Sequence, residues 1–188
     1  MQIILASGSP RRRELMALIT PDYTVVTSDV DESALAADTP AQLAAVLGEA
    51  KCTAVAAQYA DAVVIGCDTV VECDGTVYGK PKDQADAARM LHTLSGRTHL
   101  VHTGVCISSK GRHDVFTVTT RVTFAPLTEA EIKAYISTPE PYDKAGSYGV
   151  QGAAAKFVSG IEGCYYNVMG FPVQRIYRAL QAIEGLGL

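Results

Sequence analysis

Residues 7–12 read Ser-Gly-Ser-Pro-Arg-Arg, a run of residue types well suited to holding an anion. A Ser-Pro pair suits the start of a helix, where unpaired backbone N–H groups carry roughly half a positive charge. Gly8 lets a ligand approach the backbone, Ser7 and Ser9 add hydroxyls, and Arg11 and Arg12 add guanidinium forks that match phosphate oxygens. With Arg13 they make three consecutive cations against the helix dipole, so the pattern asks for an anion nearby. A capped surface helix with solvated arginines is the competing reading. The run is not a P-loop, because no Gly-Lys-Ser/Thr closes it.

A second run, Gly66-Cys67-Asp68-Thr69, follows the apolar stretch Val63-Val64-Ile65. Ligands of open α/β sheets bind beyond the carboxyl ends of strands, and Asp68 is expected just past such an end. A carboxylate there could bind a divalent metal or orient an attacking water. A turn aspartate bonded to its own backbone fits the fragment as well. Asp31 and Glu32, in a polar loop, are candidate partners at a shared metal or simply solvated acids. Lys51, Lys80 and Lys144 are scattered cations, each able to be a surface group. Lys144 opens a Gly-rich loop running to Gly152, in which Gln151 offers both a donor and an acceptor to a base edge. His99 and His102 lie three apart on an expected strand and face opposite sides, which makes a poor metal pair. Cys67 reads as a small buried thiol rather than a nucleophile, and Tyr165 and Tyr166 as core or interface.

These residues need a frame, and the local patterns supply one. Ile3–Leu5, Tyr23–Thr27 and Val63–Ile65 read as strands, the last buried on both faces. Ser9 and Pro10 open a helix with Leu15, Met16, Leu18 and Ile19 on its apolar face. Thr39-Pro40-Ala41-Gln42 is a capping box for an alanine-rich helix to about Gln58. Asp74-Gly75 marks a hairpin, Asp83 caps a helix to Leu94, and two alternating strands span about 98–108 and 113–124. Thr128–Glu131 is a second capping box, a strand is expected over 155–159, and Pro172 opens a last helix. The expected fold class is α/β: a mixed, twisted sheet flanked by helices.

Composition narrows the functions. The 188 residues carry Lys+Arg 16 against Asp+Glu 20, a net charge of −4, with 48% hydrophobic and 19% charged residues. Such a chain buries a core, and its acidic balance argues against a nucleic-acid strand or an anionic membrane as partner. No stretch approaches the roughly 20 apolar residues of a membrane span. The N-terminal apolar stretch precedes its charges, the reverse of a secretory signal, and the five scattered cysteines lack a Cys-x-x-Cys pair. Reduced thiols and a cytoplasmic setting are expected.

Ser7–Arg12, Asp31-Glu32, Lys51, Gly66-x-Asp68-Thr69-Val70, Gly79-Lys80-Pro81, Leu94-Ser95-Gly96 and Lys144–Gly152 occur in that order. In this the chain resembles, from end to end, the Maf family of nucleoside triphosphate pyrophosphatases. The resemblance implies one domain over residues 1–188, at most two lobes around a cleft, with a fold similar to that of inosine triphosphate pyrophosphatases. It implies cleavage of a nucleoside triphosphate to monophosphate and pyrophosphate with Mg²⁺ or Mn²⁺, and a homodimer. Arg11, Thr69 and Gln151 look like the branch acting on dTTP and UTP, whereas the 7-methyl-GTP branch tends to carry Trp, Gln and Glu there. By the same resemblance Ser7, Ser9, Arg11, Arg12, Lys51 and Lys80 would hold the triphosphate. Asp68 would be general base or metal ligand, Glu32 a second metal ligand, and Thr69 and Gln151 readers of the pyrimidine edge. Two alternatives stay open: a nucleotide-binding regulator of cell division with vestigial hydrolysis, and an enzyme for modified pyrimidine nucleotides.

Overall fold

The computed structural model describes residues 1–188 and has one seven-stranded mixed sheet. Strands β1 (Ile3–Ala6), β2 (Thr24–Val25), β3 (Val63–Cys73), β5 (Thr98–Ser109), β6 (Arg112–Phe124) and β7 (Val158–Glu162) lie in the order β2-β1-β3-β5-β6-β7, with β4 (Thr76–Tyr78) also on β3. β1 is parallel to both its neighbours, and the pairs from β3 to β7 are antiparallel. This is the mixed α/β architecture expected. The helices are α1 (Pro10–Ala17), α2 (Pro40–Ala56), α3 (Gln84–Leu94), α4 (Glu129–Ile136), α5 (Tyr165–Val168) and α6 (Val173–Gln181).

Local chemistry sets most of these boundaries. The Thr39, Asp83 and Thr128 side chains each accept a backbone N–H of the first helical turn, and Thr128 with Glu131 completes a reciprocal capping box. Asp74 and Gly75 both have positive φ, 50° and 75°, as a tight hairpin turn requires. Ser9 differs from expectation: it occupies the cap position of α1 but its side chain makes no cap bond. The strand expected over 155–159 is displaced, because residues Ala153–Phe157 coil into a 3-10 helix and pairing starts at Val158. β2 keeps only two paired residues of the five expected.

β3 is much longer than its apolar run suggests. The strand does not stop at Ile65 but runs on to Cys73, so Asp68 and Thr69 stand inside it. β1 pairs with it only as far as Ala6↔Gly66 and then turns into α1, while β5 stays paired as far as Glu72↔Leu100. Between residues 67 and 70, β3 therefore lacks a neighbour on one side, until β4 pairs with it from Val71 to Cys73. Helix α2 presses so closely on this region that a Cβ on Gly66 would lie 2.5 Å from Cys52 N and from Gly48 O. Gly104 on β5 leaves room for the same helix, since a Cβ there would lie 2.0 Å from Ala44 O. Two main clusters form the core: one joins α3, α4 and the far ends of β3, β5 and β6, and the other joins α1, α6 and the near ends of β1, β3 and β5.

Candidate active site

Where β1 has ended and β3 continues, the surface falls into a cleft of about 780 Å³, in the range of small-molecule sites. Its wall includes the β1–α1 turn, the middle of β3, one face of α2, the end of β4 and the Gly-rich loop. Ser7, Ser9, Arg11, Arg12, Glu32, Lys51, Asp68, Thr69, Lys80, Lys144 and Gln151 all line it. Residues up to 144 positions apart in sequence thus face one space. Asp31 does not join them; its carboxylate accepts from Ser33 N at 3.0 Å and Ser33 Oγ at 2.6 Å, capping the 3-10 turn Glu32–Ala34, and these bonds lower its pKa.

The chemical centre is a carboxylate–lysine cluster. Lys51 reaches from α2 to place Nζ 2.5 Å from Asp68 Oδ1 and 2.8 Å from Glu32 Oε1. Lys51 and Asp68 are only 15% and 13% exposed, so the pair is shielded from water while remaining open to the cleft. Alternation along β3 explains the meeting: Asp68 projects on the α2 side, as Val64 and Val70 do. Two oxygen donors converging on one cationic point suit a hard divalent ion. No group of three or more His, Cys, Asp or Glu forms anywhere, so a cage of protein ligands alone is not on offer. Mg²⁺ and Mn²⁺ sites commonly combine one or two carboxylates with phosphate oxygens and water.

The neighbouring arginines differ in what they face. Arg11 Nη1 pairs with Asp143 Oδ2 at 3.1 Å, and Lys144 Nζ pairs with the same carboxylate at 2.6 Å. Burial pushes the Asp143 pKa up, but the bonds from Lys144 and Arg11 outweigh it and hold the group below its ordinary value. Arg12 meets only neutral acceptors: Gly170 O at 2.8 Å, Thr69 Oγ1 at 3.0 Å and Ser7 Oγ at 3.4 Å. Its charge is uncompensated within the protein. Arg13, third of the run, is exposed and does not line the cleft.

Several supporting residues gave no local sign in the sequence. Glu140 anchors the far end of the Gly-rich loop, accepting Ala153 N–H at 2.9 Å and Tyr135 O–H at 3.0 Å. Tyr148 is tied beneath the loop to His99 Nε2 at 2.7 Å and stacks edge-on against Phe124. Burial drives the His99 pKa down to about 4. His102 sits on the other face of β5, between Glu72 and Thr119 at 2.8 Å each, so the two histidines do not meet. Cys67 is fully buried and its thiol is pushed up to about 12 by burial, the inert state expected of it. Tyr165 and Tyr166 are 40% and 41% exposed, which removes them from the core.

Known proteins resemble this chain over nearly its whole length. The family model described as Maf-like protein matches residues 2–183. A Bacillus cytotoxicus protein called dTTP/UTP pyrophosphatase is 48% identical over 183 residues, covering 97% of this chain and 96% of its own. A Carboxydothermus hydrogenoformans protein of the same name is also 48% identical, covering 96% and 98%. Among solved structures, the Staphylococcus aureus Ham1 protein shares the fold, with a TM-score of 0.59 at 17% identity over 96% of this chain and 98% of that one. A HAM1 protein from Coxiella burnetii gives 0.56 at 12% over 97% and 100%. Matched almost from end to end by the family model and by these relatives, the chain belongs to the Maf family.

Proposed function

We propose that this chain hydrolyses the pyrimidine nucleoside triphosphates dTTP and UTP to the monophosphate and pyrophosphate. Water attacks the α-phosphorus; its oxygen forms the new P–O bond, and the bond from the α-phosphorus to the bridging oxygen breaks. The observation that carries the reading is the joining, in one cleft, of the Lys51–Asp68–Glu32 cluster and the unpaired Arg12 guanidinium. One end of such a cleft suits proton transfer and the other a polyanion. The name shared by relatives that are 48% identical, dTTP/UTP pyrophosphatase, supports the substrate class.

In this mechanism Asp68 accepts the proton of the attacking water. Lys51 steadies both carboxylates and offers a positive charge to the α-phosphate. Arg11, Arg12 and Lys80, with the Ser7 and Ser9 hydroxyls, hold the phosphates and neutralise charge on the departing pyrophosphate. Lys144 adds to that field. Gln151 and Thr69 hydrogen-bond the base edge, with Arg11 contributing to the same selectivity. Asp68 and Glu32 would hold Mg²⁺ or Mn²⁺, an ion that screens phosphate charge and makes water easier to deprotonate. The reading includes a homodimer in the cytoplasm, for which sedimentation velocity and fractionation are the tests; no helix is long and apolar enough to cross a membrane. A nucleotide panel with Mg²⁺ and with Mn²⁺, scored separately for pyrophosphate and orthophosphate, tests the activity. Pyrophosphate from dTTP and UTP supports it, and orthophosphate as first product rejects it.

A further inference from the structure

Behind Arg12 runs a chain of hydrogen bonds whose direction is set by a single carbonyl. The Asn167 carbonyl can only accept, and it takes Gly170 N–H at 2.9 Å and the Thr103 hydroxyl at 3.0 Å. Thr103 has one proton, so across the 3.0 Å contact with Thr69 its oxygen must accept the Thr69 proton. Thr69 is left with lone pairs alone, one of which takes Arg12 Nη2–H at 3.0 Å. The turn that starts this chain also finishes it, because Gly170 O accepts Arg12 Nε–H at 2.8 Å.

The turn itself has little freedom to shift. Asn167 is fully buried, and its Nδ2 donates to Val101 O and Thr120 Oγ1, both at 3.0 Å. Gly170 has φ +97°, and a Cβ there would lie 3.0 Å from Thr69 Oγ1, so the close approach needs glycine. Thr103, also fully buried, touches no ligand-facing space itself.

We propose that Thr103 and Asn167 are positioning residues that lock the Thr69 hydroxyl as an acceptor and thereby aim the Arg12 guanidinium at the phosphates of the nucleotide. The inference rests on the nucleotide reading above. It also means that Thr69 meets any base edge as an acceptor, never as a donor.

Thr103→Val keeps the shape and removes the hydroxyl, whereas Thr103→Ser keeps the hydroxyl. The readouts are kcat and KM for dTTP and, separately, pyrophosphate affinity by calorimetry. Thr103→Val should raise KM and the pyrophosphate Kd about tenfold while kcat stays within about threefold. Thr103→Ser should stay within about twofold of wild type, and Thr103→Val should add nothing in an Arg12→Lys background. Unchanged KM and Kd, or effects that simply add to those of Arg12→Lys, overturn the proposal. Should Thr103→Val fail to fold, Thr69→Val carries the same tenfold expectation, and wild-type values there overturn it equally. A wild type that neither turns over dTTP nor binds pyrophosphate sinks the nucleotide reading, and this inference with it.

Discussion

The two halves of β3 share one continuous backbone and have opposite surroundings. From Val63 to Cys67 every residue is buried, with β1 and β5 on the two edges and helices on both faces. From Asp68 onward β1 is gone, because its chain has turned at Ser7 into α1, and Asp68, Thr69 and Glu72 are partly exposed. Cys67 and Asp68 are adjacent and mark the change. The thiol is sealed and pushed up to about 12, while the carboxylate meets an ammonium at 2.5 Å in a cleft. The site arises where the sheet loses one strand and keeps the other.

If that contrast is right, substitutions in the open half should cost activity and those in the sealed half stability. The largest effect is expected at Asp68. Asp68→Asn should lower pyrophosphate release by about a thousandfold or more, with the melting temperature little changed. A steady-state pyrophosphate assay beside thermal melts checks both parts. In the sealed half, Gly66→Ala forces a Cβ against α2 backbone and should cost about 3 kcal/mol, or roughly 6–12 °C of melting temperature. A melt within about 2 °C of wild type would break the contrast at this end.

A third, smaller effect concerns the loop that packs over the open half, where Gly146 lies against Val71. His99 holds this loop from beneath through Tyr148. Its folded pKa, about 4, lies below the ordinary histidine value of 6.5, so the unfolded chain binds the extra proton first. The associated stability is complete above about pH 6.5 and is lost as pH falls toward about 4. Between pH 7 and pH 5 the loss should be about 2 kcal/mol. Melting curves of His99→Phe should be flatter over that window, and an unchanged slope removes His99 from the account. Smallest of all, Gln151→Glu should change the preference between dTTP and purine triphosphates by about tenfold. An unchanged panel would end the base-reading role of Gln151.

Much of the frame was legible because it depends on neighbours in sequence. The caps at Thr39, Asp83 and Thr128 and the Asp74-Gly75 turn are decided within four residues. The alternation expected of the two long strands holds only near the end of β6, because β5 is covered on both faces from Val101 to Ser108. The site residues were legible as chemical types, and the fold gathers them into one cleft. Their supports were not. Thr103, Glu140 and Asn167 act on partners that only folding brings near, and nothing in their flanking residues marks them. The end of β3 is hidden in the sequence for a related reason. Cys67-Asp68-Thr69 looks like a polar stop, but β5 continues to pair with that backbone and keeps it extended.

Attack at the α-phosphorus by water activated at Asp68 leaves an isotopic signature. Turnover of dTTP in ¹⁸O-labelled water, followed by mass spectrometry of both products, tests it most directly. One labelled oxygen is expected in the monophosphate and none in the pyrophosphate. Label in pyrophosphate, or in orthophosphate released first, would contradict it.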